Sequence, residues 1–136
     1  MMIKGDQLAE IVKLIDQNSI NYYARASGDY NPIHIDEKYA AISSPFESTI
    51  AHGMMIAATI SEMMNMDFKD DWASNGKLKL KFRAPVLSGD TITTFGNVKD
   101  ISERSCGYEI ICSVGVRRHT GEIAISGEAR VSTKGS

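Results

Sequence analysis

The sequence predicts an α+β fold in which one buried helix packs against an antiparallel, meandering sheet. Three observations lead to this prediction. A nearly apolar stretch follows Gly53, residues 77–83 alternate strictly between polar and apolar side chains, and β-branched runs separated by turn residues fill the rest of the second half. A helix that is apolar on most sides needs a covering layer, so both halves of the chain fit one core.

The first half predicts helices and one ambiguous segment. Residues 8–15 fit either a strand or a helix. Asp16 or Asn18 can cap a following helix, and Gly28 is a natural end for it. We therefore expect that helix to lead directly into residues 29–34.

The rest of the chain predicts one long helix and a set of strands. Asp36 can cap a short helical turn, and residues 42–51 predict an irregular excursion before the buried helix starts at Gly53. That helix is nearly apolar as far as Met64, with Glu62 as an exception. The predicted strands cover residues 77–83, 91–98, 105–116 and 123–131.

Size and composition exclude several classes of protein. The 136 residues fit a single domain, 1–136, and 43% apolar with 24% charged residues is ordinary for a globular protein. A net charge of -2 gives no basic footprint for nucleic acid. No apolar run reaches the ~18 residues of a transmembrane helix, and the start lacks a signal-peptide pattern. Cys106 and Cys112 fall in one predicted strand as reduced thiols, so we expect a cytoplasmic protein.

The stretch SGDYNPIH, residues 27–34, is the most informative for function. Positions i and i+5 do not share a helix face. Here, however, Pro32 disfavours helical backbone at the preceding residue, and Gly28 stops a helix. Asp29 and His34 can therefore converge across a bent loop. A carboxylate and an imidazole at one pocket supply a general base and a general acid near neutral pH.

Three blocks resemble the MaoC-like dehydratases, the (R)-specific enoyl-CoA hydratase group. They are YARASGDYNPIH at 23–34, IAHGM at 50–54, and KFRAPV at 81–86 followed by SGD at 88–90. The blocks occur in the family's order and together span most of the chain. The resemblance implies a hot-dog fold, in which a curved antiparallel sheet wraps a long central helix. It also implies a homodimer, or a higher oligomer built from dimers, with the sheets joined edge to edge and active sites near the interface.

The family's reaction is the reversible syn addition of water to a trans-2-enoyl thioester, which gives an (R)-3-hydroxyacyl thioester. The resemblance therefore implies a hydro-lyase acting on acyl-CoA, with Asp29 and His34 as the catalytic pair. It assigns the thioester carbonyl to the backbone N–H of Gly53, where free N–H groups gather at a helix start. Asn31 and Ser61 are expected to support the pair.

Other candidate residues have weaker signals. Met54 and Met55 can line an acyl pocket because methionine adapts to irregular shapes, and Arg83 can meet a CoA phosphate. His52 is expected to pack or cap before the helix, and His119 lies in a predicted surface turn where we expect no role. Three histidines without a cluster of close cysteines or carboxylates predict no metal site. No cofactor is expected.

Two kinds of alternative remain open: another thioester carrier for the same reaction, and a different function. An acyl carrier protein could replace CoA as the thioester carrier. A hot-dog thioesterase usually has a carboxylate on the central helix, and Glu62 is the only acidic residue of the predicted helix. A non-catalytic acyl-binding subunit would be expected to have a degraded catalytic block, whereas this one is intact.

Overall fold

The computed structural model describes residues 2–134, which form a five-stranded antiparallel sheet and the helices that pack on it. In chain order the elements are β1 (Ile11–Ile15), α1 (Gln17–Ser27), α2 (Pro32–Ile35), α3 (Glu37–Ser43), α4 (Gly53–Asn75), β2 (Lys77–Phe82), β3 (Asp90–Arg104), β4 (Gly107–Arg118) and β5 (Ile123–Lys134). The strand order is β1-β3-β4-β5-β2. The predicted hot-dog arrangement of a long helix wrapped by a curved antiparallel sheet is confirmed.

The chemistry of the terminal residues explains where helix α1 begins and where it ends. The Asp16 side chain accepts a 2.8 Å hydrogen bond from the Ser19 N–H, so Asp16 and not Asn18 is the N-cap. Gly28 ends the helix with a left-handed φ of 77°. Ile20 and Ala24 form the buried face of the helix. The ambiguous segment before α1 is a strand, β1, which pairs with β3.

Helix α4 forms the centre of the core. Ile60, Met63 and Met64 are fully buried within one apolar cluster that includes side chains from β3, β4 and β5. Each such side chain contributes about 1.5–3 kcal/mol through burial. A Cβ added to Gly96 of β3 would lie 3.1 Å from the Met63 side chain, so this glycine lets the helix approach the sheet closely.

One face of α4 and the adjoining strand β2 differ from the sequence prediction. The helix was expected to be buried on most sides, yet Met54 is 65% and Met66 51% exposed. The alternation of β2 predicted a half-buried strand, but Leu78 and Phe82 are 38% and 56% exposed. The reason is that β2 is an edge strand, so within residues 2–134 nothing covers its outer side or the neighbouring helix face.

The long helix also extends further than its apolar pattern. It continues to Asn75, with a break at Lys69 where φ is 46°. It therefore contains Asp67, Asp70 and Asp71 in addition to Glu62, which corrects the expectation of a single acidic residue. Among residues 2–134, no helix combines the length and the apolarity needed to cross a membrane.

The two cysteines occupy different environments. Both are free thiols. Cys112 lies in β4 with no exposed surface, and burial raises its pKa to about 11. Cys106 is exposed in the turn between β3 and β4, one residue before the strand in which it was expected.

Segment 50–52 connects the sheet side of the molecule to α2. It was predicted as part of an irregular excursion, and it is extended. The Ala51 N–H donates to the Val86 carbonyl at 2.8 Å, and the Ile50 N–H donates to the Ile33 carbonyl at 3.1 Å. Two elements far apart in sequence are thereby held against each other immediately before α4 starts.

A buried ion pair fixes the start of β3 beside this segment. Asp90 is 4% exposed, and Arg118 holds its carboxylate with two hydrogen bonds, from Nε at 2.5 Å and from Nη2 at 3.1 Å. The carboxylate also accepts from the Leu87 N–H at 2.8 Å. The pair therefore orders the turn that precedes the strand.

Replacing Arg118 tests this pair. We expect Arg118→Met to lower the free energy of unfolding by about 3–5 kcal/mol, because it leaves the Asp90 carboxylate buried without its counter-charge. Arg117→Met is the matched control, since the Arg117 side chain is 40% exposed and meets Glu10 only at 3.7 Å; its loss should stay below about 1 kcal/mol. Urea denaturation measures both values. Equal, small losses would show that the Asp90 pair does not order this end of the sheet.

Candidate active site

Three parts of the chain bring the predicted catalytic residues to one place. Asp29 lies in the loop between α1 and α2, His34 lies on α2, and His52 and Gly53 mark the start of α4. One carboxylate oxygen of Asp29 and one ring nitrogen each of His34 and His52 all lie within 4.8 Å of one another. The structure thus places the carboxylate, the imidazole and the helix N-terminus side by side.

The loop that carries the pair has more helix than the bent loop we expected. Asn31 is the N-cap of α2, and its side chain accepts from the Ile33 N–H at 3.1 Å. Pro32 takes the first helical position, which its ring geometry favours. The Asn31 N–H in turn donates to the Asp29 carboxylate at 3.2 Å. Asn31 therefore shapes the loop through side chain–backbone hydrogen bonds.

Hydrogen bonds fix the orientation of His34. Its Nδ1 lies 2.8 Å from the Ile50 carbonyl oxygen. A carbonyl only accepts, so Nδ1 carries the proton and Nε2 of the neutral ring has a free lone pair. This is the tautomer that a general base at Nε2 requires.

Two residues that sequence analysis missed hold the main chain of His34. The side-chain amide of Gln17 donates to the His34 carbonyl at 2.8 Å. Its own oxygen accepts from the Thr49 hydroxyl at 2.5 Å, and Thr49 is buried. No motif or spacing signals this contact, because it joins positions 32 residues apart.

His52 packs within the site and does not cap α4. It occupies the N-cap position without a side-chain cap bond, so of its two expected roles only packing is observed. Its ring stacks on His34 with centroids 3.9 Å apart and an interplanar angle of 24°. Its Nε2 lies 2.9 Å from the Asp29 main-chain oxygen.

Gly53 offers the first free N–H of α4. The first N–H groups of a helix have no intrahelical acceptor, and the side chain at the N-cap provides none. The Phe82 ring lies against Gly53, since an added Cβ would be 3.1 and 3.3 Å from two ring atoms. The Phe82 ring therefore lies beside Gly53, at the end of α4 where the helix dipole favours negative charge.

The remaining candidates lie around this centre. Ser61 accepts a 2.8 Å hydrogen bond from the Trp72 indole and lines an open groove of about 690 Å³ between α4 and β2. Within residues 2–134 its hydroxyl bonds to neither catalytic residue. Met54 is exposed beside Gly53 and Met55 is half-buried. Arg83 is exposed, and its Nε donates to the Ser126 hydroxyl at 2.6 Å.

The three close side chains are poorly arranged for a metal ion. Ring lone pairs lie in the ring plane, and the stacked rings of His34 and His52 cannot both point at one ion. The absence of a metal site stays a prediction of the sequence, and this geometry supports it.

Comparison with known proteins gives concordant matches. The family model described as "MaoC like domain" matches residues 2–120. The (R)-specific enoyl-CoA hydratase of Rhodospirillum rubrum is 34% identical over 131 residues, 95% of this chain and 87% of that protein. The 3-hydroxybutyryl-CoA dehydratase of Methylorubrum extorquens is 35% identical over 127 residues, 91% of this chain and 77% of that protein. The solved structure of the A. caviae (R)-hydratase superposes with a TM-score of 0.83 at 26% identity and covers 96% of both chains.

The variant Gly53→Ala tests the free amide. The added Cβ, 3.1 Å from the Phe82 ring, must displace the ring or the bound carbonyl, so we expect enoyl-thioester hydration to fall about 10²-fold. The melting temperature should not fall, because alanine favours a helix over glycine by up to about 1 kcal/mol. Ser74→Ala, on an exposed position of the same helix, is the control and should keep its activity. Unchanged hydration in Gly53→Ala would exclude a carbonyl bound at this amide.

Proposed function

Because the chain belongs to the MaoC-like domain family, we propose that it is an (R)-specific hydratase/dehydratase interconverting trans-2-enoyl-CoA and (R)-3-hydroxyacyl-CoA. One observation carries the proposal: the Asp29 carboxylate and the His34 imidazole lie within 4.8 Å of each other, beside the free N–H of Gly53. This proximity supports a site in which two acid/base groups and an oxyanion donor act on one substrate. The names of the two relatives at 34% and 35% identity support the same reaction.

Asp29 and His34 share the work on water. The Asp29 carboxylate accepts a hydrogen bond from the water, and the free Nε2 of His34 accepts another. As the water oxygen bonds to C3, its proton passes to this pair, and the pair returns a proton to C2. Delivery to the same face gives syn addition, and the reverse sequence removes water.

Gly53 stabilises the charge that forms between these two steps. When C3 gains the oxygen, electron density moves through C2 onto the thioester oxygen. The Gly53 N–H donates to that oxygen at the positive end of α4. The amide belongs to a rigid element, so little reorganisation is needed as charge develops.

The substrate extends from this centre in two directions. We assign Met54, Met55 and Ser61 to the acyl side, because they lie on α4 within two turns of Gly53. Arg83 directly follows Phe82, whose ring covers Gly53, and it lines a groove with Lys79 and Lys81. These cations suit the phosphates of the thioester carrier. We treat residues 1–136 as one such domain and place it in the cytoplasm, in keeping with its free thiols.

We further propose a homodimer that covers the exposed face along α4 and β2. The free edge of β2 presents unpaired backbone groups, which proteins seldom leave open. Leu78 and Phe82 on β2 and Met66 on α4 expose apolar surface. A second copy would bury this surface and close the open side of the groove near the site.

Direct assays test the function. Loss of the conjugated enoyl absorbance of crotonyl-CoA should follow addition of the protein, without release of free thiol. Asp29→Asn and His34→Ala should each lower kcat/KM by about 10²–10⁴-fold, because each removes an acid/base group. Asp100→Asn and His119→Ala change exposed residues outside the site and should keep the wild-type rate.

The same assays distinguish the alternatives. Thiol release without hydration would replace the proposal with a thioesterase. Hydration only of a carrier-protein thioester would replace CoA as the carrier. Binding of the thioester with neither reaction would indicate a non-catalytic subunit. Full activity in both Asp29→Asn and His34→Ala would refute the catalytic assignment.

Two exposed apolar residues on opposite sheet edges test the dimer. Leu78→Glu places a charge on β2 and should convert the dimer to a monomer, since the charge would be buried without a partner. Val12→Glu makes the same change on β1, where Val12 is 63% exposed, and should leave the dimer intact. Sedimentation velocity measures both. A monomeric wild type, or dissociation by Val12→Glu alone, would contradict the proposed face.

A further inference from the structure

A buried histidine with one unpartnered nitrogen lies directly behind the catalytic pair. His52 is 3% exposed, and its Nδ1 has no hydrogen-bond partner within residues 2–134. A buried polar atom in this state costs about 1–3 kcal/mol. An apolar ring of similar size would avoid that cost, so packing alone does not explain a histidine at this position.

The other ring nitrogen bonds to the catalytic loop. Nε2 lies 2.9 Å from the Asp29 main-chain oxygen. A carbonyl only accepts, so Nε2 carries the proton and Nδ1 holds the unpartnered lone pair. This hydrogen bond joins the start of α4 to the residue whose carboxylate is proposed to hold the water.

The ring face of His52 restrains the second catalytic group. The hydrogen bond from Nδ1 to the Ile50 carbonyl fixes one edge of the His34 ring. The plane of the imidazole can still tilt about this hydrogen bond. The His52 ring lies against the His34 face at 3.9 Å between centroids. Tyr23 supports His52 in turn, at 4.8 Å and an angle of 52°.

We propose that His52 is a positioning residue, which holds Asp29 by a hydrogen bond and His34 by stacking so that both face the same water. The inference rests on the proposed hydratase function. His52 acts through these two groups, because one of its nitrogens is occupied by a carbonyl and the other is buried. It also precedes Gly53 in the chain, so a single residue links the catalytic pair to the oxyanion amide.

Two variants separate the hydrogen bond from the packing. His52→Phe keeps a ring against His34 and removes the unpartnered nitrogen, but it cannot donate to Asp29. His52→Gln can donate through its side-chain amide, but it loses the ring. His119→Phe repeats the first change at an exposed histidine of the β4–β5 turn and controls for loss of a histidine elsewhere.

His52→Gln is expected to be more active but less stable than His52→Phe. His52→Phe should lower kcat about 10–100-fold, as small misplacements of catalytic groups do, with KM nearly unchanged because no substrate contact is lost. His52→Gln should recover at least half of that loss on a logarithmic scale. His52→Phe should melt at or above the wild-type temperature and His52→Gln below it. His119→Phe should keep the wild-type kcat.

Two outcomes would overturn the inference: a wild-type kcat in His52→Phe, or a His52→Gln variant as slow as His52→Phe. A wild-type protein without hydration activity would refute the proposed function. The hydrogen bond between His52 and Asp29 could then still be tested through the tautomer of His52. Imidazole ¹⁵N spectra of the wild type should show His52 protonated at Nε2 and not at Nδ1. A proton at Nδ1 would refute the bond to Asp29, even if His52→Phe fails to fold.

Discussion

The attachment of residues 29–34 to segment 50–52 is the constraint on which the site depends. Three hydrogen bonds join the two segments: the Ile50 N–H to the Ile33 carbonyl at 3.1 Å, His34 Nδ1 to the Ile50 carbonyl at 2.8 Å, and His52 Nε2 to the Asp29 carbonyl at 2.9 Å. Segment 50–52 is itself held by the Val86 carbonyl. The short catalytic loop therefore takes its position from the sheet and from the helix that begins at Gly53.

This construction suits a reaction in which charge moves between several atoms of the substrate. The base must face the water and the amide must face the thioester oxygen at the same time, and both depend on the start of α4. The exposed face of that helix and of β2 is adjacent to the same centre. Leu78 and Phe82 expose apolar surface on β2, which the proposed substrate tail and second subunit would cover.

Local features were predictable from the sequence, and long-range contacts were not. The predictable features depend only on neighbouring residues. They are the caps Asp16 and Asp36, the end of α1 at Gly28 and the strand pattern after Lys77. The Gln17–Thr49 bond and the His52–Asp29 bond join positions 32 and 23 residues apart, and no periodicity indicates them. Alternation identified β2 as a strand but could not show that it lies at an edge. The polar end of α4 beyond Met64 was missed because only apolar residues had marked the helix.

The structure of the Asp29→Asn variant with a bound trans-2-enoyl-CoA would test the central claim most directly. Slow turnover in this variant should preserve the substrate during crystallisation. We expect the thioester oxygen about 2.7–3.1 Å from the Gly53 nitrogen, with C3 facing position 29 and the Nε2 of His34. A thioester held in the groove beside Ser61 and Trp72, with its oxygen away from Gly53, would contradict that claim.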